Sequence, residues 1–145
     1  MARSFSYSVT THCPPERAAA VLADIGHQRA VHPLIIDIQE QPPRPGALRS
    51  YRITDRVPFG PVRLRVTYAA DLLSAAPNEV VSLARQRPAT TVRNRTLIAR
   101  RPNLTEITVE ITITAPRLLQ PYVVRQARRA HAAVARRLGP YLDQQ

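Results

Sequence analysis

Residues 117–142, RLLQPYVVRQARRAHAAVARRLGPYL, form the one long segment of helical period in this 145-residue chain. Leu119, Val123, Ala127, Ala130, Val134 and Leu138 recur every three or four residues and predict a single apolar stripe. Six arginines, Arg117, Arg125, Arg128, Arg129, Arg136 and Arg137, lie mainly on the remaining faces. Pro121 fits only within the first turn of such a helix, where the amide it lacks would have had no intrahelical partner. One apolar stripe needs a surface to cover, and the residues before it, from Leu34 onward, read almost entirely as strand. A curved antiparallel sheet is the available partner. A sheet curled around one helix leaves room between the two for a ligand.

The chain's fourteen prolines mark most element boundaries, because proline cannot donate to a sheet ladder. Ser4–Thr11 alternates, with Phe5, Tyr7 and Val9 on one face, and predicts the first strand. Pro14-Pro15-Glu16 opens a helix through about Asp24, Gly26 breaks it, and a second short helix covers roughly His27–Val31. Six more strands follow, near Leu34–Glu40, Leu48–Val57, Val62–Leu73, Glu79–Gln86, Thr91–Arg100 and Leu104–Thr114, separated by turn-rich PPRPG, PFGP, SAAPN, RPAT and RRPN. Val62, Leu64, Val66, Tyr68, Ala70 and Leu72 share one face of the fourth strand; Ile107, Val109, Ile111 and Ile113 share one face of the last. The sheet is expected to be half buried, with an apolar concave face and a charged convex one.

Length fits one domain spanning residues 1–145. No apolar run is long enough for a membrane-spanning helix, and the N-terminal MARSFSYSVTTH lacks the continuous apolar stretch of a secretory signal, so a cytoplasmic location is expected. Cys13 is the only cysteine, which excludes an intrachain disulfide and a multi-cysteine zinc site; beside a helix N-terminus it reads as a surface thiol. The net charge of +11 rests on arginine alone, since there is no lysine. A coding bias explains the choice of cation but not the excess of twenty-one bases over ten acids, which a polyanionic partner would explain.

The order of strand, two short helices, six antiparallel strands and one long helix resembles the α+β helix-grip fold of the START/Bet v1-like superfamily, also called SRPBCC, and within it the polyketide cyclase/dehydrase-like group. The resemblance rests on SFSYSVTTHC at the opening strand, PPERAAAVLADIGHQRAVHPLIIDIQE at the helical step, RPGALRSYRI at the following loop, and the terminal helix. It covers essentially the whole chain. Two departures stand out. Many relatives carry a tryptophan just before the proline after the second helix, where this chain has Val31-His32-Pro33, and the loop that is often glycine-rich holds only Gly46. A single glycine argues against cradling a phosphate, which needs several closely approaching backbone amides.

The resemblance implies a ligand between the concave sheet and the long helix, with its mouth beside the short helices. Inward polar side chains should then be few and informative. Alternation selects Arg85, taken in phase with Val81 and Leu83; Asn94 and Thr96, in phase with Val92 and Ile98; and Tyr51 and Tyr68, in phase with Ile53 and Val66. An inward Arg85 would pair with a carboxylate or phenolate of the ligand. His32 falls at the expected mouth, and His131 borders the helix stripe. The candidate ligand-binding set is therefore Tyr51, Tyr68, Arg85, Asn94, His32 and His131. No catalytic residue is singled out, no cofactor is implied, and no spacing of histidines and carboxylates suggests a metal. Three functions remain open: binding of a small hydrophobic or aromatic molecule as carrier, sensor or sequestering module; a polyketide cyclase/aromatase-type enzyme; and an RNA- or ribosome-associated module using the arginine faces. Few aromatics are available for base stacking, which places nucleic acid behind the small ligand.

Overall fold

A computed structural model describes residues 2–145. Strand β1 (Ala2–Thr11) leads into helix α1 (Pro15–Leu22) and a 3-10 helix (Ile25–Ala30). Six strands follow, β2 (Ile35–Gln41), β3 (Arg49–Phe59), β4 (Val62–Ala76), β5 (Glu79–Gln86), β6 (Thr90–Arg100) and β7 (Thr105–Thr114), and the chain ends in α2 (Gln120–Asp143). All seven strands form one antiparallel sheet in the order β1-β7-β6-β5-β4-β3-β2. This is the helix-grip architecture expected from the pattern of the sequence.

The two short helices are separated earlier than Gly26. Helix α1 stops at Leu22, and Asp24 turns extended (φ −100°, ψ 102°) so that its carboxylate accepts a hydrogen bond from the Gly26 amide at 3.0 Å. Asp24 thus caps the start of the new helix, which places the break before Gly26. Cys13, expected at the surface, is buried, and burial pushes its thiol pKa up. It sits where Thr105 Oγ1 donates to its carbonyl at 2.7 Å, tying the end of β1 to the start of β7.

Helix α2 behaves differently along its length. Its C-terminal half packs on β1 and β7 through buried Val134, Leu138, Gly139 and Leu142. Asp143 fixes that end by accepting from Thr11 Oγ1 at 2.6 Å and from the His12 amide at 2.8 Å. Gly139 allows the closest approach, since a Cβ there would lie 2.6 Å from the carbonyl oxygen of Thr10. In an exposed helix, Gly→Ala stabilises by up to ~1 kcal/mol. Gly139→Ala is expected to do the opposite, lowering stability by about 1–3 kcal/mol through overpacking against backbone, as measured by urea unfolding.

Candidate functional site

The N-terminal half of α2 stands off the sheet. It presents Val123, Ala127 and Ala130 to the concave face, opposite Ile53, Ala70, Ala84, Val92 and Ile111, and a cavity of ≈160 Å³ lies between them. Small side chains on both walls explain the space. A water molecule needs about 10–15 Å³ on the same measure, so this hollow is roughly ten waters in size. A second cavity of ≈50 Å³ adjoins it deeper along the helix, bounded by Tyr7, His27, Val80, Thr96, Val109 and Leu138. Gln28, His32, Ser82, Asn94 and His131 line both spaces and form the polar partition between them.

The partition is uncharged at neutral pH. His131 Nδ1 lies 2.5 Å from the Tyr7 hydroxyl, and its ring meets the His32 ring edge to face at 5.6 Å. Burial lowers the pKa of His131 to about 4. Burial, and then the neighbouring His131, lower that of His32 to about 3. His32 Nδ1 accepts from the Leu34 amide at 3.3 Å, which leaves Nε2 to carry the ring proton. Asn94 is held by Thr96 Oγ1, which donates to its side-chain oxygen at 2.7 Å.

Across the larger cavity, Asp55 is the one acid among the described residues of the wall. The Tyr68 hydroxyl donates to its carboxylate at 3.1 Å. Desolvation raises the Asp55 pKa to about 6 against the opposing pull of that hydrogen bond, and Tyr68 is itself pushed well above the usual phenol value by burial and by the carboxylate. The larger cavity therefore offers neutral hydrogen-bonding edges, one carboxyl that titrates near neutrality, and apolar walls, while Asp24 puts a carboxylate in the wall of the smaller one. Among the described residues no arginine lines either cavity, although the chain has twenty-one.

Four of the six residues selected from the sequence, Tyr68, Asn94, His32 and His131, come together on these walls. Two do not. Tyr51 lies in the expected phase, but it is 1% exposed and packed against the 3-10 helix, with its hydroxyl 3.5 Å from Asp24, so it belongs to the core beside the cavity. Arg85 faces the opposite way. Pairing sets Ala84 against Ala70 and Ser82 against Leu72, so Val80, Ser82 and Ala84 point inward while Val81, Leu83 and Arg85 lie on the convex face. There the Arg85 guanidinium bonds Asp71, which also accepts from Ser50 Oγ and Arg44 Nη1, each at 2.7 Å. Burial opposes ionisation of Asp71, but these three donors outweigh it and hold its pKa low.

Asp55, Gln28, Ser82, Gln126 and Tyr7 were not among the selected residues. Asp55 was legible, since it follows Ile53 by two in the same strand and so shares its inward phase. Gln28 and Gln126 reach the cavity from helices, where alternation says nothing.

No protein-family model matches the chain, and no curated protein sequence does. Solved structures do. The di-domain aromatase/cyclase BexL from the BE-7585A biosynthetic pathway superposes with a TM-score of 0.73 at 15% identity, covering 99% of this chain and 49% of BexL, so this chain spans about half of that protein. Zhui aromatase/cyclase from Streptomyces sp. R1128 gives 0.70 at 12% identity, with 99% of this chain and 95% of Zhui covered. A START superfamily protein from Mycobacterium smegmatis gives 0.74 at 15% identity over 97% of both chains. The chain thus has the START-like helix-grip fold, the fold also of the polyketide aromatase/cyclases.

Proposed function

We propose that the chain binds a small, uncharged apolar or aromatic molecule in the hollow between the concave sheet and α2, as a carrier, sensor or sequestering module. The observation that carries this reading is the cavity itself: ≈160 Å³, with apolar walls and a neutral polar partition. Exclusion of every arginine from its walls argues against an anionic ligand, because nothing there would repay the desolvation of a negative charge. Neutral donors and acceptors at Asn94, His32, His131 and Tyr68 suit a ligand with one or two hydroxyl or carbonyl groups on an apolar frame. Native mass spectrometry of the purified protein, together with titration of neutral N-phenyl-1-naphthylamine, tests this. Saturable one-to-one binding supports the reading, and absence of both a co-purified molecule and probe binding overturns it.

A second reading, catalysis of the aromatase/cyclase type, is favoured by the Asp55–Tyr68 pair. A buried carboxyl with a pKa of about 6 is poised to accept a proton from an acidic carbon or hydroxyl of the bound molecule and return it elsewhere on the same molecule, which needs no outside reagent. Asp55→Asn should then abolish turnover while ligand is still bound. The same substitution has an expected effect on stability whether or not there is catalysis. Ionising Asp55 is harder in the folded chain than in the unfolded one, so its contribution falls as pH rises from about 4 to about 6 and stays unfavourable above that. Asp55→Asn is expected to stabilise at pH 7.5 by up to about 3 kcal/mol, and to have little effect near pH 4, in thermal or urea unfolding.

A further inference from the structure

Among the described residues six large apolar side chains are exposed, and five of them, Phe59, Val62, Leu64, Leu118 and Leu119, sit on two segments joined at one end of the molecule. Phe59, Val62 and Leu64 belong to the β3–β4 hairpin; Leu118, 95% exposed, and Leu119 precede α2. The segments are tied together, since Tyr122 Oη donates to the Pro58 carbonyl at 2.9 Å and its ring meets that of Phe59 edge to face at 6.1 Å. The sixth, Leu48, lies just before β3, at the strand end opposite Phe59.

The same end is basic without compensation. No aspartate or glutamate occurs from Arg56 to Ala70 or from Ile111 to Leu142. Arg56 and Arg65 are direct cross-strand partners and Arg63 is the next basic residue along β4, an arrangement of like charges that destabilises a hairpin unless an anion lies against it. Arg56, Arg63, Arg65, Arg117 and Arg125 are exposed, and none of them is in an ion pair among the described residues. Val57 and Tyr122, which line the larger cavity and are partly exposed, adjoin this apolar tip.

We propose that this end docks on an anionic phospholipid surface, with Phe59, Val62, Leu64 and Leu118 entering the headgroup boundary and the five arginines meeting lipid phosphates, so that the cavity rim faces the bilayer. Exposed apolar side chains have no favourable place in an RNA groove or on a charged protein surface, but an interface that is apolar beneath and anionic above accepts both features at once. Guanidinium groups match phosphate oxygens in pairs. The interaction is peripheral, since among the described residues no helix is long and apolar enough to cross a membrane. Docking rests on the surface alone; delivery of a ligand through it rests on the reading of the cavity above.

The test is co-sedimentation with vesicles of phosphatidylcholine alone and of a three-to-one mixture with phosphatidylserine, read beside N-phenyl-1-naphthylamine binding by the same samples. Partition into the anionic vesicles only, weakened by salt, supports the proposal. Arg56→Gln and Arg65→Gln should each lower vesicle affinity about fivefold. The double variant Phe59→Ser with Leu118→Ser should lower it by about tenfold or more, while Leu48→Ser leaves it unchanged. Retained probe binding by the double variant shows that the fold is intact. Failure to partition, or vesicle binding indifferent to Phe59→Ser with Leu118→Ser, overturns the proposal. So does tighter binding to single-stranded polyuridylate that the apolar substitutions do not touch, which would assign the arginines to RNA. Vesicle binding and probe binding are separate readouts, so loss of one leaves the other reading standing.

Discussion

Ala127→Trp is expected to weaken N-phenyl-1-naphthylamine binding by about 100-fold while leaving the protein folded, because the indole would occupy the space the probe needs. Ala127 lies on the part of α2 that stands away from the sheet, and its methyl group lines the larger cavity opposite Ala84 and Val92. Displacing a buried aromatic probe forfeits about 1.5–3 kcal/mol of apolar transfer free energy, which corresponds to a loss of order 10–150-fold. The helix tolerates the change, since tryptophan costs at most ~0.7 kcal/mol of intrinsic propensity relative to alanine and a filled hollow recovers packing. Fluorescence titration and a thermal melt of the same variant check both halves. If the variant is stable and binds the probe as wild type does, the hollow is not where the probe goes. Arg85→Ala supplies the contrast. Its side chain is 49% exposed on the convex face, bonded to Asp71, so probe affinity is expected to stay within about twofold.

That contrast shows where alternation stops being informative. In β5, residues 79–86 read EVVSLARQ, and period two can place either Val81, Leu83 and Arg85 or Val80, Ser82, Ala84 and Gln86 inward. Counting apolar bulk favours the first set, and the structure uses the second. A strand over a cavity is under different pressure from a strand over a packed core, because small and polar residues there keep the hollow open. β3 shows a related limit: Tyr51, Ile53 and Asp55 are all correctly inward, but only the positions along the sheet decide that Tyr51 meets the 3-10 helix while Asp55 meets empty space. Phe59, Val62 and Leu64 share the inward phase too, yet they stay largely exposed, since they lie at the end of the hairpin, where α2 reaches them only through the edge of Tyr122 against Phe59. Period two gives the face of a strand. What packs on that face is a tertiary property, and so the fold, a sum of many periods, was more legible than the site, which depends on a few positions.

Acidification is expected to destabilise the protein through the histidine partition, with most of the loss falling between pH 6.5 and 4. Above pH 6.5, His32 and His131 are neutral in both the folded and the unfolded chain and contribute nothing to the pH dependence. As pH falls, the unfolded chain takes up protons at the ordinary histidine pKa near 6.5, while the folded chain resists until about 4 at His131 and about 3 at His32. Each histidine then removes about 1.4 kcal/mol of stability per pH unit across that window, at most about 5 kcal/mol for the pair by pH 4.5. Asp55 acts in the reverse direction, regaining up to about 2 kcal/mol as it protonates between pH 6 and 4.5, so the net loss is about 3 kcal/mol. That is a large share of the 5–15 kcal/mol typical of a folded domain. His32→Gln with His131→Gln should reverse the slope, leaving only the gain of up to about 2 kcal/mol from Asp55 as pH falls, because neither glutamine titrates. Asp55→Asn should steepen it, because the opposing proton uptake is gone. Urea unfolding at half-unit intervals from pH 7 to 4 resolves all three curves. A wild-type profile that is flat across this range would mean that the two rings already take up protons in the folded chain, and the neutral partition on which ligand selection depends would be lost with it.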